Sequence, residues 1–340
     1  MLPPVIGLAA GVPPVTVPGM SRLEVLPFSD AHLDAAGALL ARRHAVHRRA
    51  EPLLAPRYAD AGEATREVAE LWKAGASGAV ARSGGHTVGY LLGLPLAVDR
   101  WGPNVWVPPA GHAVDDAETV RDLYAVAAAR WVDEGRTAHY AVVPAGAPAL
   151  VDAWFRLGFG QQQVHGVREP LATPPPVPDG VAVRHGRPAD AAALAPLDLV
   201  LPQHQAQSPV FSDRPVPTLA DALEDWVETL EDPRYTTFLA ELDGAVVGAA
   251  VGCPAEESSL HAGPARPDAA SYLIFAAVVP EARGHGVGSA LGRAVLGWSA
   301  TAGYRAVVTD WRATNLLSSR TWPKIGFRPA FLRLHRQIGR

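Results

Sequence analysis

Hydrophobic and polar positions follow two different periods along the second half of the chain. Apolar runs of strand length alternate with segments whose apolar residues recur every three or four positions, the spacing typical of a helix packed on one face. A first strand begins at Val181, and helical spacing then continues to about Leu230. The pattern next predicts a hairpin over Thr236–Gly252, a strand over Tyr272–Val279, a helix over Gly288–Thr301, a strand over Ala306–Trp311, a helix over Leu316–Lys324 and a strand over Phe331–Gln337. Strands that alternate with helices after an antiparallel hairpin predict a mixed α/β sheet.

The first half of the chain shows the same features in the same order. Each half begins with a short strand, a loop that contains an aspartate and an amphipathic helix. A glycine-rich hairpin follows, and its second strand contains Gly-x-x-x-Gly; near its end each half has Trp-x-x-x-Gly-Phe. The matching pairs are Asp30 and Asp190, Gly89 and Gly248, Gly93 and Gly252, and Trp154 and Trp322. This repetition predicts the duplication of a whole domain.

A proline-rich segment separates the two halves. Residues Pro170–Gly180 read PLATPPPVPDG, which predicts a stiff, extended linker. The predicted domains are therefore residues 21–169 and 181–340, joined by a linker over 170–180. Residues 1–20 are apolar, broken by prolines and free of Lys and Arg, so we predict a disordered leader there rather than a signal peptide, with Met20 as an alternative start.

Composition excludes several classes of function. The chain is 48% hydrophobic and 19% charged with a net charge of -4, which is typical of a globular protein and offers no basic half for nucleic acid or an anionic membrane. No uninterrupted apolar run is long enough to span a membrane. Cys253 is the single cysteine, so an intrachain disulfide is impossible and a cytoplasmic location is expected.

The stretch VVPEARGHGVGSALGRAVLGW, residues Val278–Trp298, places alternating glycines where a strand becomes a helix. The first turn of a helix leaves backbone N–H groups unpaired and carries a positive partial charge, so it binds phosphate. Glycines leave room for phosphate oxygens, and Arg283 adds a positive charge. A Walker loop would need a lysine, and a dinucleotide fingerprint would need Gly-x-Gly-x-x-Gly early in the domain; neither pattern fits.

Two linked motifs give this loop a resemblance to the GNAT family, the Gcn5-related N-acetyltransferases. The first is Val278-Val279-Pro280 followed by Arg283-Gly284-His285-Gly286-Val287-Gly288, and the second is Asn315, Ser318, Trp322, Gly326 and Phe327 at the family's spacing. The resemblance implies an α/β fold of two tandem GNAT-like domains, each a mixed, mostly antiparallel twisted sheet flanked by helices. Residues between Leu94 and Ala125 offer no such loop, so the first domain is expected to be degenerate and the second to hold the cofactor.

The resemblance also implies which residues bind acetyl-CoA, the acyl-donor substrate. The pyrophosphate would lie on the loop residues Arg283, Gly284, His285, Gly286, Val287, Gly288 and Ser289. Pantetheine would run along Ala276, Ala277 and Val278, with Asn315 contacting it. The N–H near Val278 would stabilise the oxyanion. No metal is expected.

The sequence leaves the acid and the base open. Many lysine-acetylating relatives have a glutamate six residues before the position of Val278, where this chain has Tyr272. Glu241, Asp310 and His204 are alternative bases and stay open. The family's tyrosine, often the general acid, is replaced by Trp322, whose indole can donate a hydrogen bond but has no proton to give up near neutral pH.

Two polar segments complete the predictions. Residues Ala41–Glu51, with four arginines and two histidines, are interpreted as a solvated helix face, with a contact to an acidic ligand as the alternative. Residues Leu201–Asp213 are predicted to be a loop near the acceptor.

The implied activity is acyl-CoA-dependent N-acyl transfer, with acetyl passing to an amine of a small molecule. The alternative is an acyl-CoA-binding regulator or pseudoenzyme without turnover. The oligomeric state stays open.

Overall fold

The computed structural model describes residues 23–97, 101–212 and 215–339, and the predicted leader over residues 1–20 lies outside them. The strands are β1 (Glu24–Pro27), β2 (Ser77–Ser83), β3 (His86–Gly93), β4 (Asn104–Val107), β5 (His112–Val114), β6 (Ala138–Pro144), β7 (Gly160–Arg168), β8 (Val181–His185), β9 (Thr236–Leu242), β10 (Ala245–Pro254), β11 (Ala270–Val278), β12 (Ala306–Arg312) and β13 (Arg328–Gln337). The α-helices are α1 (Leu33–Ala50), α2 (Ala61–Lys73), α3 (Thr119–Asp133), α4 (Pro148–Arg156), α5 (Ala191–Ala206), α6 (Leu219–Glu231), α7 (Val287–Thr301) and α8 (Leu316–Lys324).

The periodicity located the elements of the second half well. α8 has the predicted bounds, and α7 begins one residue earlier than predicted, at Val287. The loop predicted over Leu201–Asp213 is wrong at its start, because α5 continues to Ala206 with Pro196 and Pro202 inside it. Leu194, Leu197 and Pro202 are buried, so the burial of apolar surface offsets the backbone hydrogen bonds that the prolines remove.

The last strand of each half pairs with the other half. One sheet has the order β4-β6-β13-β7-β12-β11-β10-β9-β8, and a second has the order β1-β2-β3-β5. β13 lies between β6 and β7, and β7 lies between β13 and β12, all in antiparallel pairing. A bridge between Leu94 and Trp106 connects the two sheets. The two halves therefore exchange their closing strands and share a continuous seam.

The predicted fold class is confirmed. Most strand pairs are antiparallel, and the parallel pairs are β4 with β6 and β11 with β12, which occupy equivalent places in the two halves. Separate apolar clusters lie under α1 and α2, under α3 and α4, under α5 and α6, and under α7 and α8. Helices thus cover both faces of the sheet in each half, as expected for an α/β fold.

The solvated face predicted for Ala41–Glu51 holds for Arg42 and Arg49, which are exposed, but is wrong for the two histidines. His44 is fully buried and His47 is 6% exposed. His44 donates from Nε2 to the carbonyl oxygen of Ala55 at 2.8 Å, and Arg43 donates to the carbonyl oxygens of His112 and Pro109. These side chains satisfy buried backbone acceptors, a role that the charge pattern alone does not reveal.

The strand exchange predicts that neither half folds stably by itself. A fragment of residues 181–339 lacks β7, the partner of both β12 and β13, and a fragment of residues 23–169 lacks β13, the partner of β6 and β7. We expect each fragment alone to unfold without a cooperative transition, and the two co-expressed fragments to form a 1:1 complex. Circular dichroism melting and size-exclusion chromatography measure this; a cooperative, full-stability melt of residues 181–339 alone would contradict it.

The buried histidines predict a loss of stability in mild acid. Burial lowers the pKa of His44 to about 4 and the pKa of His47 and His112 to about 3. The unfolded chain binds protons at a pKa of about 6.5 and the folded chain does not, so stability is complete above that pH and is lost as the pH falls toward the folded values. Each histidine lowers the free energy of unfolding by about 1.4 kcal/mol per pH unit in that window.

Urea unfolding at pH 7.5, 6.5 and 5.5 measures this slope. His47→Gln should reduce the slope of the free energy of unfolding against pH by the contribution of one bound proton. His86→Gln, at an exposed position, should leave this slope unchanged. A free energy of unfolding that stays constant from pH 7.5 to 5.5 would refute the prediction.

Candidate functional site

The candidate site begins where β11 and β12 separate. The two strands pair in parallel only from Ala270 with Ala306 to Leu273 with Thr309. On its other side β11 pairs with β10, where Phe275 faces Val251 and Leu273 faces Gly252, so Ile274 is an extra residue. Such a bulge bends a strand and increases its twist. Beyond it, the β12-facing edge of β11 has no strand partner among the described residues.

The amide groups of Ala276 and Val278 point to this open edge. Val279 donates its N–H to the carbonyl oxygen of Val247 on β10, at 2.9 Å. Successive backbone groups alternate sides along a strand, so the N–H groups of Val278 and Ala276 point away from β10. The carbonyl oxygen of Val278 accepts a hydrogen bond from Arg283 Nε at 3.4 Å, on the same side. The open edge can therefore bind an extended chain as an added strand would.

The glycine loop connects this edge to α7. Gly284 has φ +86° and Gly286 has φ +79°, left-handed conformations that favour glycine. Gly286 is the N-cap of α7, and no side chain caps the helix. The first amides of α7, those of Val287, Gly288 and Ser289, are therefore available to a ligand. Gly288 lacks a side chain where a Cβ would meet only Val278 Cγ2, at 3.8 Å, so packing alone does not require glycine there.

A cleft of about 350 Å³ brings most of the predicted cofactor residues together. Those that line it are Ala276, Ala277, Val278, Arg283, Gly284, Gly286, Val287, Gly288, Ser289 and Asn315. His285 does not line it. The structure thus gathers residues of β11, the loop, α7 and the start of α8 around one space.

The cleft has a positive electrostatic character. Arg283, Arg320 and Lys324 line it, and no carboxylate does among the residues that the structure describes. The N-terminus of α7 adds a positive partial charge. Sequence reasoning missed Arg320 and Lys324; their spacing of four residues on a predicted helix, which places both on one face, is the signal that identifies them. This arrangement suits a polyanion such as a diphosphate.

Asn315 has a structural role that the motif did not reveal. It is the N-cap of α8, and its Oδ1 accepts hydrogen bonds from the amides of Leu317 at 3.1 Å and Ser318 at 3.4 Å. His204 Nε2, at the end of α5, donates to the same oxygen at 3.3 Å. A contact between Asn315 and a ligand would therefore use its Nδ2 group.

Trp322 lines the cleft and also packs against α7. It is 8% exposed, and a Cβ on Gly292 would lie 3.0 Å from its ring. Its counterpart in the first half, Trp154, is fully buried with its ring 4.7 Å from that of Phe159. Packing is the role that both tryptophans share.

Tyr272 and Asp310 lie apart from the cleft, in a buried polar cluster on the face opposite α7. Tyr272 donates its hydroxyl hydrogen to Asp310 Oδ1 at 2.6 Å, and His261 Nε2 is 3.7 Å from the same oxygen. The ring of His165, on β7, is 4.8 Å from that of His261. Burial raises the pKa of Tyr272. Burial also acts to raise the pKa of Asp310, but the neighbouring histidines and the Tyr272 hydroxyl outweigh it and hold that pKa below its usual range.

Glu241 also lies away from the cleft lining. Arg184 Nε binds Glu241 at 2.7 Å, and the same guanidinium binds both oxygens of Asp190 at 2.8 Å. Of the predicted catalytic residues, the structure brings Val278 and Trp322 to the cleft; it does not bring Tyr272, Asp310 or Glu241 there. His204 does line the cleft.

The first half lacks the equivalent loop. Val114 on β5 pairs with Gly89 as Val278 pairs with Gly248, so the strands correspond. Only residues 115–118 connect β5 to α3, and they include Asp115, Asp116 and Glu118. Arginines bind two of these carboxylates, with Arg42 on Asp115 and Arg121 on Glu118. A short acidic connection repels phosphate, so the described residues of this connection do not reproduce the anion-binding geometry found before α7.

Neither a metal site nor a membrane span stands out in the described ranges. They contain no group of three or more His, Cys, Asp or Glu side chains arranged to hold a metal ion. No helix in them is long and apolar enough to cross a membrane.

Comparison with known proteins gives one family match, which lies in the second half. Residues 200–327 match the model of the Acetyltransferase (GNAT) family. A GCN5-related N-acetyltransferase from Sphaerobacter thermophilus aligns over 96% of this chain and 98% of its own, with 17% identity and a TM-score of 0.57. The chain therefore has this fold across both halves, in agreement with the predicted tandem arrangement.

Two further solved structures align with the chain. A tandem GNAT protein from the clavulanic acid biosynthesis pathway aligns over 94% of this chain and 99% of its own, with 20% identity and a TM-score of 0.45. An aminoglycoside N-acetyltransferase in complex with CoA aligns over 44% of this chain and 89% of its own, with 21% identity and a TM-score of 0.36. A search of curated proteins found no significant match.

Proposed function

We propose, on the premise that residues 200–327 form a GNAT domain, that this protein is an acyl-CoA-dependent N-acyltransferase that moves acetyl from acetyl-CoA to an amine of a small molecule. The observation that carries the proposal is the continuity of one cleft from the free amides of α7 to the open edge of β11. A diphosphate and an extended amide-containing arm need these two features in this order.

The diphosphate of the donor would bind the first turn of α7. The amides of Val287, Gly288 and Ser289 supply hydrogen-bond donors, and the helix terminus and Arg283 supply positive charge. Arg320 and Lys324 line the same cleft and would attract the remaining phosphate charge. The lack of carboxylates in the described lining removes the repulsion that such a donor would otherwise meet.

The thioester would lie beside Val278. The pantetheine amides can pair with the open edge of β11 in the manner of an added strand. The N–H of Val278 points to that edge and would donate to the carbonyl oxygen as negative charge develops on it. Loss of one such donor costs about 10²–10³ in rate in enzymes that depend on it.

Trp322 does not act as an acid in this proposal. Its indole N–H does not ionise near neutral pH, and its ring packs on α7. A thiol has a pKa of about 8.5, so the thiolate of CoA leaves with little assistance. The harder proton transfer is on the acceptor, because a lysine-like amine with a pKa of about 10.4 needs about 4–5 kcal/mol to lose its proton near pH 7.

A regulator that binds acyl-CoA without turnover is the second candidate. The observation that favours it is the position of Tyr272, which is buried with Asp310 instead of facing the cleft. A cytoplasmic location is proposed for either function, because the single cysteine, Cys253, is a buried free thiol.

An assay of thiol release from acetyl-CoA separates the two functions. The panel of acceptors is 2-phenylethylamine, spermidine, kanamycin and free lysine, with binding of acetyl-CoA measured by calorimetry on the same protein. We expect binding together with amine-dependent release of free thiol. Binding without release for every amine would favour the regulator, and the absence of binding by the folded protein would refute both.

Gly288→Val tests the loop directly. The added side chain would occupy the space in front of the α7 amides, while its Cβ meets Val278 at an ordinary distance of 3.8 Å. We expect the fold to survive and the affinity for acetyl-CoA to fall by about 100-fold, the loss of two charge-assisted hydrogen bonds of about 1.5 kcal/mol each. Gly160→Val, at an exposed position on β7, is the control and should leave the affinity unchanged; unchanged affinity in Gly288→Val would contradict the loop assignment.

A further inference from the structure

Among the described residues, the lining of the cleft contains one imidazole, the side chain that enzymes use most often as a general base. The charged groups of the lining are Arg283, Arg320 and Lys324, which are cations, and the described lining contains no Asp or Glu. The remaining polar side chains are hydroxyls, the amide of Asn315 and the indole of Trp322, none of which is a useful base. The exception is the imidazole of His204.

The protein fixes the tautomer of this imidazole. Asn315 Oδ1 can only accept, so the 3.3 Å hydrogen bond requires the hydrogen of His204 to be on Nε2. The same oxygen accepts from the amides of Leu317 and Ser318, which hold the Asn315 side chain in place. Nδ1 then carries the lone pair, and no described residue donates a hydrogen bond to it.

His204 also lies where the end of α5 meets the cleft. It lies in the last turn of α5, whose residues Val200 and Leu201 line the same cleft. The segment that follows α5 is held to β12 by a hydrogen bond from Arg312 to Ser212 at 3.2 Å. The end of α5 therefore covers the point where β11 and β12 separate, which is where the thioester and the amine would meet.

The buried cluster of Tyr272, Asp310 and His261 does not fill this role. His261 is 1% exposed and Tyr272 is 7% exposed, and neither lines the cleft. A base must come within hydrogen-bond reach of the proton that it removes, directly or through one water molecule. Of the described residues, His204 is the imidazole in the cleft wall, where it can approach a bound amine.

We propose that His204 is the catalytic base that removes a proton from the acceptor amine, and that Asn315 is the positioning residue that directs His204 Nδ1 into the cleft. This assignment rests on the proposed N-acyltransferase function. Nδ1 takes one proton from the ammonium group, and the nitrogen lone pair then forms the C–N bond at the thioester carbonyl carbon. The C–S bond breaks as the carbonyl re-forms, the thiolate takes the second proton from nitrogen, and the imidazolium returns its proton to water.

The charges around His204 come from several elements. Arg283 on the loop and Arg320 and Lys324 on α8 line the cleft. Asp198 lies on α5 itself, Arg312 lies on β12, and the carboxylates of α6, which packs on α5, are exposed. Cations therefore predominate among the charges that line the cleft beside this imidazole.

The test compares His204→Gln with the unchanged protein over a range of pH. Glutamine can keep the hydrogen bond to Asn315 but cannot act as a base. With acetyl-CoA and 2-phenylethylamine, kcat at pH 7 should fall by about 10²–10⁴, the usual contribution of a general base. The deficit should shrink to less than about tenfold near pH 10, where roughly a third of an alkylamine with a pKa of about 10.4 is already neutral without help. The dissociation constant of acetyl-CoA from calorimetry should change by less than about threefold.

Two further variants separate chemistry from structure. Imidazole added to His204→Ala should restore part of the rate, which a structural role would not allow. Asn315→Asp should move the acidic limb of the rate profile to higher pH, because a carboxylate stabilises the protonated imidazole. His185→Gln, which removes a histidine of β8 outside this cleft, is the matched control and should leave all of these values unchanged.

The outcomes distinguish this assignment from the proposed function. A deficit in His204→Gln that is the same at pH 7 and pH 10, or a loss confined to acetyl-CoA affinity, would overturn the base assignment and leave N-acyl transfer intact. Full activity of His204→Gln would also overturn the base assignment and leave N-acyl transfer intact. No amine-dependent turnover by the unchanged protein would overturn the proposed function and the base with it.

Discussion

The candidate site depends on the point where β11 and β12 stop pairing. The two strands form no ladder hydrogen bonds with each other beyond Leu273 and Thr309. Unpaired backbone groups inside a sheet are costly unless water or a ligand satisfies them. The extra residue Ile274 bends β11 at the place where the pairing ends. The open edge, the cleft beside it and the orientation of the Val278 amide all follow from this separation.

The rest of the fold holds that opening in place. β12 is fixed on its other edge, where it pairs with β7, and β7 pairs in turn with β13. These two strands are the ends of the two halves, so the duplicated domain stabilises the wall of the cleft that lies in the second half. The first half keeps the strands and helices of the fold but has an acidic connection where the second half has its glycine loop.

Charge is divided between the open cleft and a buried cluster. On the α7 side, the loop, α7 and α8 supply cations and free amides to an open cleft, and α5, which packs on the other face, supplies the imidazole of His204. The opposite face buries Asp310 with Tyr272 and His261 close to the seam between the halves. A buried carboxylate needs such partners, so this cluster is part of the structure of the seam. Residue type alone would place the cleft residues and the Asp310 cluster in one active site, whereas the geometry separates them.

The sequence alone determined the elements and the glycine loop, because these depend on local patterns. The bounds of α8 and the left-handed glycines before α7 follow from residues within a turn or two of each other. Only the tertiary structure decided which strands pair, since β13 and β6 are far apart in the chain and no periodicity records the exchange. It also decided that His44 and His47 are buried and that His204, not Tyr272, Asp310 or Glu241, reaches the cleft. These facts depend on which distant elements pack together, and the side chain of a residue does not encode its neighbours across the fold.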